Sequence, residues 1–465
     1  WYGFTGTPIF AENRKAVKGD LPTTTAGLYG DCLHNYTIKE AIKNKAVLGF
    51  NVEFMDNYTD DGLANLLTEL KLATEKSAYN LSREEMEHKV LAYYAGKGVD
   101  FYGEEKHKRE VIKYILNKCE GKFGLNKGEG HTYDAILTVK SIDEAQKYYR
   151  LFKEMIKKGA VSEKILRKLP DFPKIAITYT VGENQDGALA NQNEMKESLT
   201  DYNTMFGTSW GLDDNLRGYN EDLQKRLARK ESKYKTRDEQ LDLVIVVDRL
   251  LTGFDAPCLS TIFIDRPPMP PQNIIQAFSR TNRIFDNTKK YGQVVIFRTK
   301  GIYKKAVDDA IILYSNGGSQ SDIMAPTFEE SQKQLQKAIQ AIRKIASKPQ
   351  DVSLTEETDE LTTFAKAYQE LDHAIATVSV YTEWNQDALE DTYGLSEALL
   401  DAYKGKYTNV IEELRIRKNR DYGEEEEVEI PDVDIEYELE ATSSATINYL
   451  SLIHISEPTR LDVIS

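Results

Sequence analysis

The chain has 465 residues, of which 40% are hydrophobic and 29% are charged, and its formal net charge is −15. No apolar run reaches the roughly 18 residues that cross a membrane, and no targeting segment is visible. Cys32, Cys119 and Cys258 match neither a metal-binding spacing nor a disulfide framework, so we interpret them as packing residues in a reducing compartment. These features exclude membrane-spanning and disulfide-rich secreted proteins and predict a cytoplasmic protein of two or more domains.

The N-terminal region reads as the end of one α/β lobe followed by helices. Residues Phe4-Thr5-Gly6-Thr7-Pro8-Ile9-Phe10 predict a strand end and a turn that carries two hydroxyl groups. A helix is predicted near residues 36–45, and a strand over 47–54 is expected to close the sheet of this lobe. Residues 57–125 show apolar positions at helical spacing among many charges. We assign residues 1–56 to the end of a first lobe and residues 57–125 to a helical bridging segment.

Residues 126–325 predict a second α/β lobe. Apolar strands alternate with helical or long polar segments, which is typical of a parallel sheet with right-handed crossovers. The predicted strands span residues 135–139, 175–180, 243–247, 261–264 and 293–297. The polar stretch 183–237 is interrupted by glycines and is expected to hold one helix and a loop that reaches toward substrate or partner.

Two segments of this lobe carry residues suited to phosphate. One is Leu250-Leu-Thr-Gly-Phe-Asp-Ala-Pro257, after a strand, and the other is Gln276-Ala-Phe-Ser-Arg280-Thr-Asn-Arg283, on the helix after the next strand. Ligands of open α/β sheets bind at the carboxyl ends of strands, so we expect a site there. Arginines three residues apart share a helix face and bind phosphate oxygens with their planar donor groups. The alternative is a surface helix whose arginines pair with nearby acids.

Taken in order, three segments resemble the motifs of superfamily 2 helicases and translocases. Thr5-Gly6-Thr7-Pro8 resembles motif III, the segment from Thr252 to Pro257 resembles motif V, and the segment from Gln276 to Arg283 resembles the Q-x-x-x-R-x-x-R form of motif VI. The longer wordings GFTGTPIF, LLTGFDAP and QAFSRTNRIFD look like the motor (R) subunit of type I restriction enzymes, a resemblance that runs to roughly residue 450. It implies an α/β fold with a RecA-like second motor lobe, preceded by the end of the first and followed by an α-helical domain.

The resemblance assigns roles to individual residues. Arg280 and Arg283 would reach the γ-phosphate of ATP and Gln276 would position the nucleotide or water, so these three are the predicted catalytic residues. The residues predicted to bind ATP or couple it to DNA are Thr5, Gly6, Thr7, Gly253 and Asp255. Those predicted to hold DNA phosphates, without reading sequence, are Thr252, Lys140 and Ser141. No residue is predicted to bind a metal.

Three of these interpretations have structural alternatives. Asp255 could instead cap its turn before Ala-Pro. Lys140 and Ser141 could be an ordinary turn at the end of a strand. Tyr179, which could stack on bases, could equally be a core residue.

The segments that bind the β and γ phosphates and magnesium are not in this sequence. It contains no G-x-x-x-x-G-K-[ST] loop and no Walker-B acid, and the stretch from Gly121 to Gly130 lacks the required spacing and reads as a loop. Because the chain opens on Trp1, directly before motif III, we expect a fragment whose parent holds ATP and Mg²⁺ mainly on an upstream lobe, next to a nuclease region. The isolated chain is expected to lack ATPase activity.

The C-terminal part divides into three segments. Residues 326–420 predict a helical domain, since the apolar residues between 361 and 375 lie on one stripe. Residues 421–450 are acidic, with eleven acids and no basic residue between Asp421 and Glu440, and we interpret them as a solvated linker, the alternative being a regulatory or DNA-mimicking segment. Residues 451–465 resemble a translated adapter sequence, so we exclude them from the fold.

The predicted function is a part of the ATP-dependent DNA translocase motor of a type I restriction endonuclease. As the resemblance implies, the partners are duplex DNA and the methyltransferase (M) and specificity (S) subunits, and ATP hydrolysis drives translocation before cleavage. One alternative is another superfamily 2 DNA helicase or a type III restriction motor. Another is a non-catalytic module that docks DNA or subunits.

Overall fold

The computed structural model describes residues 5–56, 58–125, 131–180, 188–212, 216–315, 322–385 and 387–421, together with residues 433–435, 437 and 439–441. The chain forms two compact units, Trp1–Thr327 and Phe328–Ser465. Each unit has its own hydrophobic core. The start of the second unit lies close to residue 326, where the sequence pattern turns helical.

A parallel six-stranded sheet forms the centre of the first unit. Its strands are β1 (Gly49–Phe54), β2 (Asp134–Val139), β3 (Ile175–Thr178), β4 (Leu243–Val246), β5 (Leu259–Asp265) and β6 (Tyr291–Ile296). They lie in the order β1-β6-β5-β2-β4-β3, and every neighbouring pair is parallel. The inner strands are buried on both faces, which is why they read as continuous apolar runs. The predicted α/β class is confirmed.

Helices cover the sheet and fill the connections between strands. They are α1 (Thr25–Tyr29), α2 (Ile38–Lys43), α3 (Asp60–Glu69), α4 (Glu75–Ala78), α5 (Arg83–Gly96), α6 (Glu105–Lys118), α7 (Ile142–Lys157), α8 (Glu163–Lys168), α9 (Ala188–Phe206), α10 (Leu216–Ala228), α11 (Pro271–Phe278) and α12 (Lys300–Tyr314). The stretch predicted to hold one helix holds two, α9 and α10, among its described residues. Gly207 ends α9 with a positive φ of +64°, so this glycine marks a helix end within a helical region.

The first strand does not close the sheet of a separate lobe, and that expectation is wrong. β1 pairs with β6 along its whole length, from Gly49 opposite Tyr291 to Phe54 opposite Ile296. A strand pattern reveals which face is buried but not which distant strand lies beside it, so the sequence could not show this pairing. The helical segment 57–125 therefore connects two strands of one sheet.

This helical segment packs in two places. Helices α3 and α5 share a small core of their own, which includes Leu63, Leu67, Met86 and Val90. Helix α6 instead belongs to the main core, where its apolar stripe is buried. The apolar positions that predicted helices in this segment are thus the positions that pack.

The second unit is helical, as predicted. It contains α13 (Phe328–Ile345), α14 (Thr358–Val378), α15 (Ala388–Asp391) and α16 (Glu397–Asp421). The apolar stripe of α14 lies in the middle of its core.

The acidic stretch is not simply a solvated linker, and that interpretation is wrong for its described residues. Val433, Ile435, Tyr437, Leu439 and Ala441 pack against the core of the second unit. The interpretation as a linker rested on the high charge of the stretch, although residues 433–441 have an apolar residue at every second position. The predicted non-native tail, 451–465, lies outside the described residues, as do residues 126–130 of the glycine-rich stretch.

Two of the three cysteines are buried. Cys119 and Cys258 pack in the first unit as predicted, whereas Cys32 is exposed, so the packing role assigned to it is wrong. Cys32 lies in a stretch of the chain whose large apolar residues are also exposed, including Leu28 and Leu33. No helix in the described part of the chain is long and apolar enough to cross a membrane.

Candidate functional site

The two predicted catalytic arginines lie at the amino edge of the sheet. The carbonyl of Asn282 accepts from the backbone N–H of Leu48, 2.8 Å away, just before β1 begins. Helix α11 starts beyond the carboxyl end of β5 and runs back along the sheet, so its last turn reaches the opposite edge. The expectation that this segment sits at the carboxyl ends of the strands is therefore wrong.

Neither arginine is part of the helix itself. Helix α11 ends at Phe278, with Ser279 as its C-cap, so Arg280 lies in the following turn and Arg283 lies beyond it. The buried residues of α11 leave no room for a charged side chain on its inner face. The shared helix face that the sequence predicted is replaced by a turn, which holds the two guanidinium groups in different surroundings.

Arg280 is half-buried and bonded to the backbone. Its Nη1 donates to the carbonyl of Phe254, and its Nε donates to the carbonyl of Gln276 at 3.3 Å. Burial lowers the pKa of Arg280, and the neighbouring positive charge of Arg283 acts in the same direction. Arg280 therefore ties the loop before β5 to the end of α11.

Asp255 joins Arg283 to a lysine that the sequence did not single out. Arg283 Nε lies 3.3 Å from Asp255 Oδ1, and Lys230 Nζ lies 2.8 Å from Asp255 Oδ2. The hydrogen bond from Lys230 lowers the pKa of Asp255, and the nearby arginines lower it further. This carboxylate stays ionised and holds one of the two arginines. Lys230 carried no signal in the sequence, since a lysine after a helix is ordinary.

The N-terminal turn meets α11 at the same place. Gln276 Nε2 donates to Thr7 Oγ1 at 2.5 Å, and the backbone N–H of Thr7 donates to Thr5 Oγ1 at 3.2 Å. The loop before β5 contributes Gly253, whose φ of +68° favours glycine. Gly6 has no such requirement, because its φ is not positive and an added Cβ would meet nothing within 4 Å. The structure thus brings together the three segments that the resemblance linked.

Of the residues predicted to hold DNA, Lys140 and Ser141 lie elsewhere, whereas Thr252 is next to Gly253. Lys140, directly after β2, is paired with Asp100. Ser141 caps α7, where its side chain accepts from the backbone N–H of Glu144 at 3.3 Å. Thr252 is exposed, in the loop between β4 and β5. The structural alternatives for Lys140 and Ser141 are thus realised, and their contact with DNA stays a prediction.

Tyr179 is a core residue. It is 1% exposed, and its hydroxyl donates to the carbonyl of Asn191 at 2.9 Å. Burial raises the pKa of Tyr179 to about 12. A ring that is enclosed in this way cannot stack on bases, so that interpretation is wrong.

Sequence reasoning missed a buried ionic cluster at the carboxyl edge. Asp265, at the end of β5, accepts from Arg298 Nε at 2.6 Å and from Tyr148 OH at 2.5 Å, and its Oδ1 lies 2.8 Å from His107 Nε2. Although burial opposes it, the charge of Arg298 keeps the pKa of Asp265 well below its usual range. The partners are far apart in sequence, and the only signal was an aspartate that ends an apolar strand. The cluster fixes α6 and α7 to the sheet.

The donors at the amino edge suit anionic oxygens. Two guanidinium groups, an amide and a hydroxyl lie within one chain of contacts, and planar guanidinium donors match phosphate geometry. Among the residues that the structure describes, no group of three or more His, Cys, Asp or Glu could hold a metal ion. The site as described therefore offers charge and hydrogen bonds to a phosphate.

Three family models match the chain. Residues 131–299 match "Type I restriction enzyme subunit R domain 3", and residues 323–453 match "Type I restriction and modification enzyme - subunit R C terminal". Residues 1–87 match "SWI2/SNF2 ATPase". The first two models together cover most of the chain, and the second begins near the boundary between its two units.

Curated relatives match almost the whole chain. It is 29% identical over 456 residues to the type I restriction enzyme SauCOLORF180P endonuclease subunit of Staphylococcus aureus (strain COL), which covers 97% of this chain and 43% of that protein. It is 28% identical over 457 residues to the SsaAORF53P endonuclease subunit of Staphylococcus saprophyticus, with the same coverage of both. The chain therefore spans less than half the length of these relatives.

Solved structures resemble it more distantly. The ATP-dependent Type ISP restriction-modification enzyme LlaBIII, bound to DNA, has a TM-score of 0.28 and 12% sequence identity, over 90% of this chain and 30% of that one.

Proposed function

The chain belongs to the R-subunit family of type I restriction enzymes, and we propose that it forms part of the ATP-dependent DNA translocase motor of such an enzyme. One observation carries the proposal. Gln276 contacts Thr7 and Arg280, Arg280 reaches the carbonyl of Phe254, and the next residue, Asp255, pairs with Arg283. Segments far apart in sequence thus supply a surface that suits the phosphates of a nucleotide.

The two arginines have different tasks in this proposal. Arg283 contacts the γ-phosphate, because its side chain is 41% exposed and its ion-pair partner among the described residues is the exposed Asp255. Arg280 positions the loop before β5 through the carbonyl of Phe254. ATP supplies the phosphoryl group whose charge spreads during transfer, and a fixed guanidinium stabilises that charge. Its Mg²⁺ ligands are expected among residues that this chain, which covers 43% of the length of its relative, does not supply.

The contact between Gln276 and Thr7 couples nucleotide state to the rest of the motor. The amide of Gln276 reaches the N-terminal turn and lies one helical turn from Arg280, which donates to its carbonyl. A change at the phosphate therefore has a direct path to residues 5–8. Thr252, Lys140 and Ser141 are proposed to contact DNA phosphates, with Lys140 exchanging Asp100 for a phosphate. Duplex DNA and the M and S subunits are the proposed partners.

The test is DNA-stimulated ATP hydrolysis by a restriction complex whose R subunit contains this chain. We expect Arg283→Ala to lower turnover by about 10³-fold or more, because an arginine that stabilises the transferred phosphoryl group is worth that much. Arg217→Ala is the matched control, since Arg217 lies on α10 with its side chain 89% exposed and pairs with Glu221. Unchanged turnover in both Arg280→Ala and Arg283→Ala would overturn the assignment.

A further inference from the structure

A short acidic segment lies on the helical unit. We call residues 433–441, as far as they are described, the strap. The apolar strap residues, which occupy every second position, pack against the core formed by α13, α14 and α16. The strap contains one turn, in which the backbone N–H of Tyr437 donates to the carbonyl of Asp434 at 3.2 Å. The apolar residues of the strap thus face the helices, and the residues that alternate with them in the sequence are acidic.

The helices hold the strap by its backbone. Asp372 of α14 accepts from the backbone N–H of Glu440 at 2.5 Å and from that of Ala441 at 3.2 Å. Gln369 Nε2 donates to the carbonyl of Asp434 at 2.7 Å, and Arg415 Nη2 donates to the carbonyl of Ile435 at 3.0 Å. Side chains that pair with backbone groups at both ends of a segment are typical of peptide recognition, in which alternate side chains supply specificity.

The side chain of Asp372 is buried and accepts hydrogen bonds from the strap. With the strap in place it is 1% exposed, and it lies on α14 between the buried Leu371 and the exposed His373. A buried carboxylate is costly unless hydrogen bonds satisfy it, and the strap provides two backbone donors and the hydroxyl of Tyr437, 3.1 Å away. These three donors from the strap satisfy the buried carboxylate of Asp372.

A further side-chain contact joins α14 to the strap. His373, next to Asp372 on α14, places Nδ1 2.8 Å from Glu440 Oε2. Arg415, which donates to the carbonyl of Ile435, places a positive charge beside the same acidic segment. The site therefore combines apolar contacts, backbone hydrogen bonds and complementary charge in one place.

We propose that α14 and α16 form a peptide-binding site whose ligand is a short acidic segment with an apolar residue at every second position, and that the strap occupies this site in cis. A segment held on the same chain competes at a high effective concentration, so it excludes a similar peptide from solution. The strap is thus a removable occupant of the site, and a segment of the same chemistry binds once the strap has left.

The experiment uses the full chain and a fluorescein-labelled synthetic peptide with the sequence of residues 432–442. Tyr437→Ser with Leu439→Ser removes two apolar contacts and releases the strap. Fluorescence anisotropy is expected to show saturable binding of the peptide to this release variant, and binding at least about tenfold weaker to the unmodified chain. A scrambled peptide, with the same composition but its apolar residues in one block, is expected not to bind.

Two further changes in the release variant test the site itself. Asp372→Ala removes the acceptor of the two backbone N–H groups and should abolish binding. If that variant fails to fold, Gln369→Ala with Arg415→Ala removes the two donors from side chains that are not in the core, with folding checked by circular dichroism. The proposal is overturned if the release variant does not bind the peptide, if it binds the scrambled peptide equally well, or if the unmodified chain binds as tightly as the release variant.

Discussion

Arg280 and Arg283 are only three residues apart, yet they are held in different ways. Arg280 gives its donors to two backbone carbonyls from a half-buried position. Arg283 is paired with Asp255, whose side chain is 54% exposed, and exposed ion pairs contribute only about 0–1 kcal/mol. A phosphate can therefore take Arg283 from Asp255 at little cost. The sequence revealed both arginines, but only the folded surroundings separate their tasks.

The positive φ of Gly253 predicts that a substitution there lowers the stability of the first unit. With its φ of +68°, Gly253→Ala places a Cβ in a left-handed conformation and should destabilise the first unit by about 1 kcal/mol, although no neighbour lies within 4 Å. The change should also lower ATP turnover of the complex, because the loop carries Phe254 and Asp255. Urea denaturation and hydrolysis assays measure the two effects.

Gly96→Ala is the control for that change. Gly96 is the last residue of α5, its φ is not positive, and an added Cβ meets nothing within 4 Å, so alanine should stabilise the same unit by about 0.5–1 kcal/mol. Shifts of the same sign in the two variants would contradict the conformation assigned to Gly253.

At the scale of elements, the sequence predicted the strands well and their partners badly. Apolar runs such as Leu243–Val246 indicate a buried strand, because both faces of an inner strand are apolar in a parallel sheet. The partner of β1 lies about 240 residues away, and the contacts that fix it include Asn51 Nδ2 to Gln293 Oε1 at 2.9 Å. Such a pairing leaves no local pattern. The packing of the strap was not predicted although its local pattern was present. Its apolar residues alternate, but its many acidic residues favoured a solvated linker.

The placement of β1 predicts an energetic link between Phe50 and Phe278. Their rings meet edge to face, with centroids 5.7 Å apart, although one belongs to β1 and the other to α11. A double-mutant cycle with Phe50→Leu and Phe278→Leu should give a coupling of about 0.5–1.5 kcal/mol in urea denaturation. Phe50 paired with Leu67, which lies in the separate small core, should be additive. Additive effects at Phe50 and Phe278 would place β1 outside this sheet.

At the scale of the whole molecule, the chain combines an α/β unit, whose amino edge is proposed to bind phosphate, with a helical unit that carries the strap. Its relatives are more than twice as long, so the proposed motor needs residues that this chain does not supply. The N-terminal turn was linked to the other two motif segments only by the resemblance to superfamily 2 helicases. The loop before β5 and the end of α11 could be predicted as one site, because their residue types suit phosphate. Their position at the amino edge could not, since it depends on how far α11 runs back along the sheet.

The proposed translocation along duplex DNA can be measured by the displacement of a DNA triplex. A series of linear duplex DNAs would carry the triplex at increasing distances from the recognition site. A complex whose R subunit contains this chain would be bound to each DNA, and ATP would be added to start the reaction. The account predicts a lag that grows in proportion to distance, and no displacement with Arg283→Ala. A lag that does not depend on distance, or displacement by the Arg283→Ala complex at the normal rate, would contradict it.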